Sequence, residues 1–264
     1  MISLSASKEL APTISVQDVS ITYRTTFEKR PTLKSALVRA GRGERLVREI
    51  EAVKNVSFDV PRGTVLGLIG NNGAGKSTLV RAIAGILPPT SGRIEVRGRV
   101  STLLALGVGF NPMLSGHENV ILGGLAAGYT RAEIEDRFEE ISEWTELGDF
   151  LEMPMRTYSS GMFSRLAFAV AIHMEPDILL VDEALSAGDA RFKKKATAKM
   201  MELVAQARTM VFVSHALSTV KDMCTDAIWL EKGQIMARGS ADDVVDEYTA
   251  FVDVAQTSAT LEDV

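Results

Sequence analysis

Residues Gly70 to Leu79 read GNNGAGKSTL, and this short stretch constrains the chain more than any other. Gly70-x-x-x-x-Gly75-Lys76-Ser77 fits the phosphate-loop pattern at every specified position. The apolar run TVLGLI before it suits a buried strand, and Leu79 to Leu87 after it can continue a helix. Gly70, Gly73 and Gly75 let backbone N–H groups turn inward around phosphate oxygens, with Asn71, Asn72 and Ala74 filling out the turn. The helix N-terminus adds partial positive charge. Lys76 is placed to reach the β- and γ-phosphates of a nucleoside triphosphate, and the Ser77 hydroxyl to ligate Mg2+, with Thr78 following in the same turn. Binding of a nucleoside triphosphate is the expectation.

The 264 residues suffice for one large α/β domain, or one domain carrying a small subdomain. A net charge of −5 argues against general electrostatic attraction to nucleic acid. The single cysteine, Cys224, cannot form an internal disulfide and reads as a small buried apolar side chain in a reducing compartment. No apolar stretch approaches the roughly 20 residues that span a bilayer. The N-terminal MISLSASKELAPT lacks a basic start followed by an apolar core, so no secretion signal is expected. If the protein works at a membrane, a partner must supply the spanning helices.

The pattern changes in order along the chain. TISVQDVSITY and VKNVSFDV alternate as half-buried strands, PRG is a turn, and GRIEVRGRVSTLLAL reads as more strand around Gly98. The glycine-rich passage from Leu106 to Tyr129 is expected to be a flexible connector. Thr130 with Glu133 forms a capping box that opens a helical insert reaching Leu151. DILLVDE and TMVFVSH return as buried strands, AIWLEKGQIMARGS as a hairpin turning at Glu231-Lys-Gly233, and a last helix is expected through about Phe251.

Asp182 and Glu183 end an apolar run, which puts two carboxylates at the C-terminal edge of a buried strand. Asp182 would hold Mg2+, directly or through water, and Glu183 would act as general base on an attacking water. His215 closes a neighbouring strand, within reach of a γ-phosphate or that water. His173, inside an apolar helix, and His117, in the glycine-rich loop, read instead as packing or surface residues. Ser159-Ser160-Gly161-Met162 opens another apolar helix, so two hydroxyls, a glycine and a helix N-terminus make a second phosphate site. The same residue types also serve as ordinary helix caps.

In this order the motifs closely resemble those of the nucleotide-binding subunit of ATP-binding-cassette (ABC) transporters, from Ile14 to about Gly239. GNNGAGKS resembles the family's Walker A motif, ILLVDE its Walker B with catalytic Glu183, and SSGM a variant of its signature. SAGD resembles the D-loop with Asp189, and His215 the switch histidine. Tyr23, at the end of the first strand, is similar to an aromatic that stacks on adenine, which implies ATP. The signature departs from the family at Ser160 and Met162, and no Q-loop glutamine occurs between Ser101 and Gly116.

The resemblance implies an α/β fold: a P-loop (RecA-like) core with an antiparallel β subdomain and an inserted α-helical subdomain, about 116–164, that carries the signature. The whole chain, 1–264, would be a single nucleotide-binding domain, with a C-terminal helix and tail over about 241–264. It also implies a homodimer in which Ser159, Ser160, Gly161 and Met162 act on the nucleotide of the other copy. Two copies of a separate transmembrane permease would complete the assembly at the cytoplasmic face of the plasma membrane.

LLALGVGFNPMLSGHENV, YSSGMFSRLAFAVA and VDEALSAGDARFKKKA are similar to the ATPases of bacterial polysaccharide exporters, of the O-antigen, teichoic-acid or cell-wall galactan type. Their cargo would be a lipid-linked glycan. Some members carry a carbohydrate-binding domain beyond the cassette, and this chain resembles the short form. The polar insertion over 24–52 is another shared feature, basic and with helical spacing of Leu33, Leu37, Val47 and Ile50. It is expected at the membrane surface, against the permease. The competing reading is a soluble ABC ATPase acting on ribosomes or DNA. Single-cassette length, acidic balance and missing heptads tell against it.

Overall fold

Two sheets press on the glycine-rich turn, and a helical unit has a core of its own. The computed structural model describes residues 11–26, 47–103, 107, 109–182, 190–206 and 208–262. The larger sheet has the order β5 (Val100–Thr102), β6 (Ile178–Asp182), β7 (Thr209–Val213), β3 (Val65–Ile69), β8 (Asp226–Glu231), β9 (Gln234–Ser240). Its neighbours pair in parallel as far as β8, and β9 closes the edge antiparallel. The central strands are apolar at nearly every position because both faces are covered.

Alternation decides which face each residue serves. Val65 and Ile69 of β3, Leu179 and Val181 of β6, and Met210 and Phe212 of β7 enter one core. There they meet α4 (Ser160–His173), α5 (Ala190–Ala205), α6 (Leu217–Met223) and α7 (Ala241–Glu262). Leu66, Leu68, Ile178, Leu180, Val211 and Val213 enter the other. That second core is completed by α1 (Lys76–Ile83) and by a three-stranded antiparallel sheet ordered β2 (Val47–Val60), β1 (Ile14–Thr26), β4 (Ser91–Val96). Each fully buried branched side chain contributes about 1.5–3 kcal/mol relative to exposure.

The helical unit contains α2 (Gly116–Ala126), α3 (Arg131–Thr145) and two short 3-10 turns, Gly148–Glu152 and Met155–Thr157, and leads into α4. It has its own core, including Val120, Ile134, Ile141, Leu151, Met155 and Leu166. The Thr130–Glu133 capping box forms as expected: Glu133 accepts from the Thr130 backbone N–H, and the Thr130 hydroxyl accepts from that of Glu133.

Four expectations need correction. The passage from Leu106 to Tyr129 is not simply a connector, because Gly116–Ala126 is helical under a second capping box, Ser115 with Glu118. His117 therefore sits on α2, where its ring lies 4.0 Å from that of Phe138. The last helix continues past Phe251 to Glu262. The ends of the 24–52 insertion are strand, not helix: Arg24 pairs with Glu49, Thr26 with Val47, and Tyr23, opposite Ile50, lies inside β1 rather than at its end. Leu33, Leu37 and the rest of 27–46 lie outside the described residues. Finally, α1 stops at Ile83, short of Leu87.

Cys224 is buried, and burial pushes its thiol up to about 12, as suits an inert apolar side chain. His173 is also buried; desolvation lowers its pKa, and Nδ1 lies 2.9 Å from the Ala169 carbonyl. Among the described residues, no helix is long and apolar enough to cross a membrane.

Candidate functional site

Register sets what stands beside the phosphate loop. Leu68 of β3 pairs with Val213 of β7, and Val213 pairs with Asp182 of β6. The loop after β3, the end of β6 and the Ser214-His215 segment after β7 therefore emerge side by side at the carboxyl-terminal edge of the sheet. That edge is where parallel α/β sheets bind ligands. His215 is exposed there, two residues past its strand. Glu183 and Asp189 lie outside the described residues, so only their chain neighbours are located.

The loop needs its glycines for two close approaches. Gly70 has φ 137°, and a Cβ there would lie 2.0 Å from the Leu230 carbonyl oxygen on β8. Gly75 has φ 104°, and its Cβ would lie 2.2 Å from the Ala52 carbonyl oxygen on β2. The loop is thus pressed between the two sheets, which fixes its curvature. The β8–β9 turn holds it from behind: Gly233 N–H donates to the Ala74 carbonyl at 3.0 Å, and the Gly233 carbonyl accepts from Lys54 N–H at 2.8 Å. Asn71, Asn72 and Gly73 face outward, while Ala74 is buried.

Charge is arranged for an anion. Gly75 is the N-cap of α1 and has no side chain to cap it, so the first N–H groups of the helix face into the loop. Lys76 is only 6% exposed, and its ammonium donates to the carbonyls of Gly70 at 2.7 Å and Asn71 at 3.0 Å. A cation so deeply buried needs such partners, and phosphate oxygens are a stronger match for it. Ser77 lies one residue on, and Asp182 ends the strand beyond β7. Hydroxyl and carboxylate oxygens are hard donors of the type that suits Mg2+.

Tyr23 comes to the loop from the antiparallel sheet. Its hydroxyl lies 3.4 Å from Thr78 Oγ1, on the first turn of α1, and the residue is 39% exposed. The described fold therefore brings together Tyr23, Gly70 to Thr78, and the ends of the strands carrying Asp182 and His215. Ser159 to Met162 form the start of α4 in the helical unit. There Ser159 is an N-cap that accepts from Met162 N–H at 3.2 Å, so the helix-capping reading is realised. Ser159 and Ser160 are exposed. Gly161 has ordinary φ, and among the described residues the only atom within 4 Å of an added Cβ is Ser159 Oγ at 3.9 Å, so none of them requires glycine there.

Sequence reasoning missed two contacts. Asn71 Nδ2 donates to the Glu231 carboxylate at 3.2 Å, and Asn71 Oδ1 accepts from the Tyr248 hydroxyl at 3.1 Å. Glu231 ends β8 and Tyr248 sits on α7, too far along the chain for any local pattern to signal them.

A parallel sheet flanked by helices, with this loop between a central strand and an uncapped helix, defines a protein of the P-loop nucleotide-binding class. The ABC transporter family matches residues 53–186, and the chain belongs to that family. It is 45% identical over 243 residues to the O-antigen export system ATP-binding protein RfbB of Myxococcus xanthus, covering 91% of this chain and 56% of that protein. It is 43% identical to the teichoic acids export ATP-binding protein TagH of Bacillus anthracis, covering 87% and 40%. The chain thus spans about half the length of these two relatives. With the RfbB protein of Klebsiella pneumoniae it shares 37% identity over 90% of itself and 98% of that protein. Among solved structures, an ABC transporter ATP-binding subunit superposes with a TM-score of 0.70 at 23% identity, covering 90% of this chain and 93% of the other. A dimeric ATP-binding cassette bound to ADP and Pi gives 0.67 at 22%, covering 86% and 98%. At such identities these two agree in fold.

Proposed function

We propose that this chain is the ATP-hydrolysing subunit of an ABC exporter that moves a lipid-linked polysaccharide, of O-antigen, teichoic-acid or galactan type, across the cytoplasmic membrane. The observation that carries this reading is the intact phosphate loop, in a chain that covers 98% of an O-antigen export ATP-binding protein. In this reading the N–H groups of Gly73 to Ser77 and the Lys76 ammonium bind the β- and γ-phosphates. Lys76 leaves the Gly70 and Asn71 carbonyls as the phosphate oxygens replace them. Tyr23 lies against the adenine. Ser77 and Asp182 hold Mg2+, which when bound neutralises phosphate charge. Glu183 takes the proton of the attacking water, and His215 contacts the γ-phosphate.

The chain acts as a homodimer. The Ser159–Gly161 turn of one copy closes over the nucleotide of the other, and Asp189, in the D-loop-like SAGD, serves the same junction between copies. The glycine at 161, which packing among the described residues does not need, leaves room for that approach. Two copies of a separate transmembrane permease receive the motion at the cytoplasmic face of the membrane. No nucleic acid takes part.

Glu183→Gln tests the catalytic assignment. The variant is expected to bind ATP with near-native affinity while turnover falls by about 100-fold or more, the scale of a lost general base. Purified protein, assayed for ATP binding and phosphate release, checks this. Near-native hydrolysis by the variant would remove Glu183 from the mechanism.

A further inference from the structure

The phosphate loop has an attachment that its own chemistry does not require. Asn71, its second residue, is held from two directions, by the Glu231 carboxylate at the end of β8 and by the Tyr248 hydroxyl on α7. These bonds use both functional atoms of the Asn71 side chain, one as donor and one as acceptor. The Asn71 backbone carbonyl, in turn, accepts from the Lys76 ammonium at 3.0 Å. The two bonds to the side chain therefore brace the second residue of the loop, whose carbonyl lies beside Lys76.

The mount for this arrangement is rigid. α7 seats its aromatic residues on β8, with the Trp229 ring 5.5 Å from Tyr248 and 4.9 Å from Phe251. Trp229 is itself paired with Ile69, the residue before the loop. Lys221 of α6 ties α7 down further through Asp246, at 2.6 Å. Tyr248 thus reaches Asn71 from a helix packed on the strand beside the loop.

We propose that Tyr248 is a positioning residue for the nucleotide site: from α7 it orients Asn71, and so holds the phosphate loop and Lys76 ready for phosphate. The inference rests on the nucleotide reading above. It concerns binding and not the chemical step, because the Tyr248 hydroxyl reaches the loop through the Asn71 side chain. By linkage the effect is reciprocal: whatever displaces α7 weakens nucleotide binding, and bound nucleotide holds α7 in place.

The test is equilibrium binding of ADP to the full chain, since ADP carries the β-phosphate and does not turn over. Tyr248→Phe keeps the ring against Trp229 and removes only the hydroxyl. It is expected to weaken ADP binding by about three- to tenfold, the worth of one neutral hydrogen bond. In steady state, KM for ATP should rise with kcat changed by less than about twofold. Asn71→Ala should weaken binding at least as much, and adding Tyr248→Phe to it should do nothing more, because the two residues act as one unit. A native chain that fails to bind ADP overturns the nucleotide reading and this inference together. Native binding with Tyr248→Phe within about twofold of it, or a double variant whose losses multiply, overturns the positioning role alone. A fall in kcat with KM unchanged does the same.

Discussion

Tyr23 lies where the two sheets meet the loop, and its 3.4 Å approach to Thr78 puts an aromatic face beside the first turn of α1. If that face carries the adenine, Tyr23→Ala should weaken ATP binding by about 1–3 kcal/mol, the scale of a base stacked on an aromatic side chain. The rate at saturating ATP should change little. Titration of the purified variant with ATP measures this, and an unchanged affinity would make Tyr23 a packing residue. Single residues such as Lys76, Ser77 and Asp182 can be nominated from the sequence because phosphate chemistry demands particular residue types in short local patterns. Glu231 and Tyr248 were not. Each belongs to the site only because β8 lies beside β3 and α7 lies on β8, which is a fact of topology and not of local pattern.

Among the elements, α3 was readable from its start and α2 was not, although both open with the same kind of capping box. The difference lies in the glycines of α2. They suggested a loop, yet they are there for close packing: a Cβ at Gly124 would lie 2.5 Å from Ile134, and one at Gly123 2.8 Å from Phe110. Glycine in a helix weakens its propensity, and here the gain is a close approach between helices. The box on α3 has a pH consequence. The Thr130 backbone N–H, then its hydroxyl, then Arg99, bring Glu133 from an ordinary 4.5 to about 2. A depressed carboxylate stabilises the fold fully above its unfolded value, and that contribution disappears as pH falls through the folded value. The thermal midpoint of the native chain should therefore exceed that of Glu133→Gln at pH 6, with the gap closing between pH 4.5 and about 2. Thr130→Ala should cost about 1 kcal/mol at neutral pH, the usual worth of an N-cap hydroxyl. Thermal melts across a pH series measure both.

For the whole molecule, the insertion is the open question, and the β1–β2 ladder changes how it must be tested. Because Arg24 to Thr26 and Val47 to Glu51 are paired strand, removing all of 24–52 would strip the sheet that carries Tyr23. Only 27–46 should be replaced, by a short Gly-Ser turn joining Thr26 to Val47, which already face each other. ATP binding by the isolated chain should then stay within about twofold of native, since surface loop length costs little. Glycan export with the permease should fall sharply if this basic segment works at the membrane surface. Full export by the shortened chain would show that the insertion is dispensable. The strand order has a further meaning for how the protein is made. β3 and the phosphate loop leave the ribosome first, but β3 is flanked in the sheet by β7 and β8, which are synthesised well after it. A nascent chain that has not yet released Glu231 carries every residue of the Walker A motif, yet it lacks the strand against which Gly70 turns. Such long-range pairing folds slowly and leaves apolar strands uncovered in the meantime. The capacity to grip phosphate thus arises only once β8 has been made, well after the residues of the loop itself have left the ribosome.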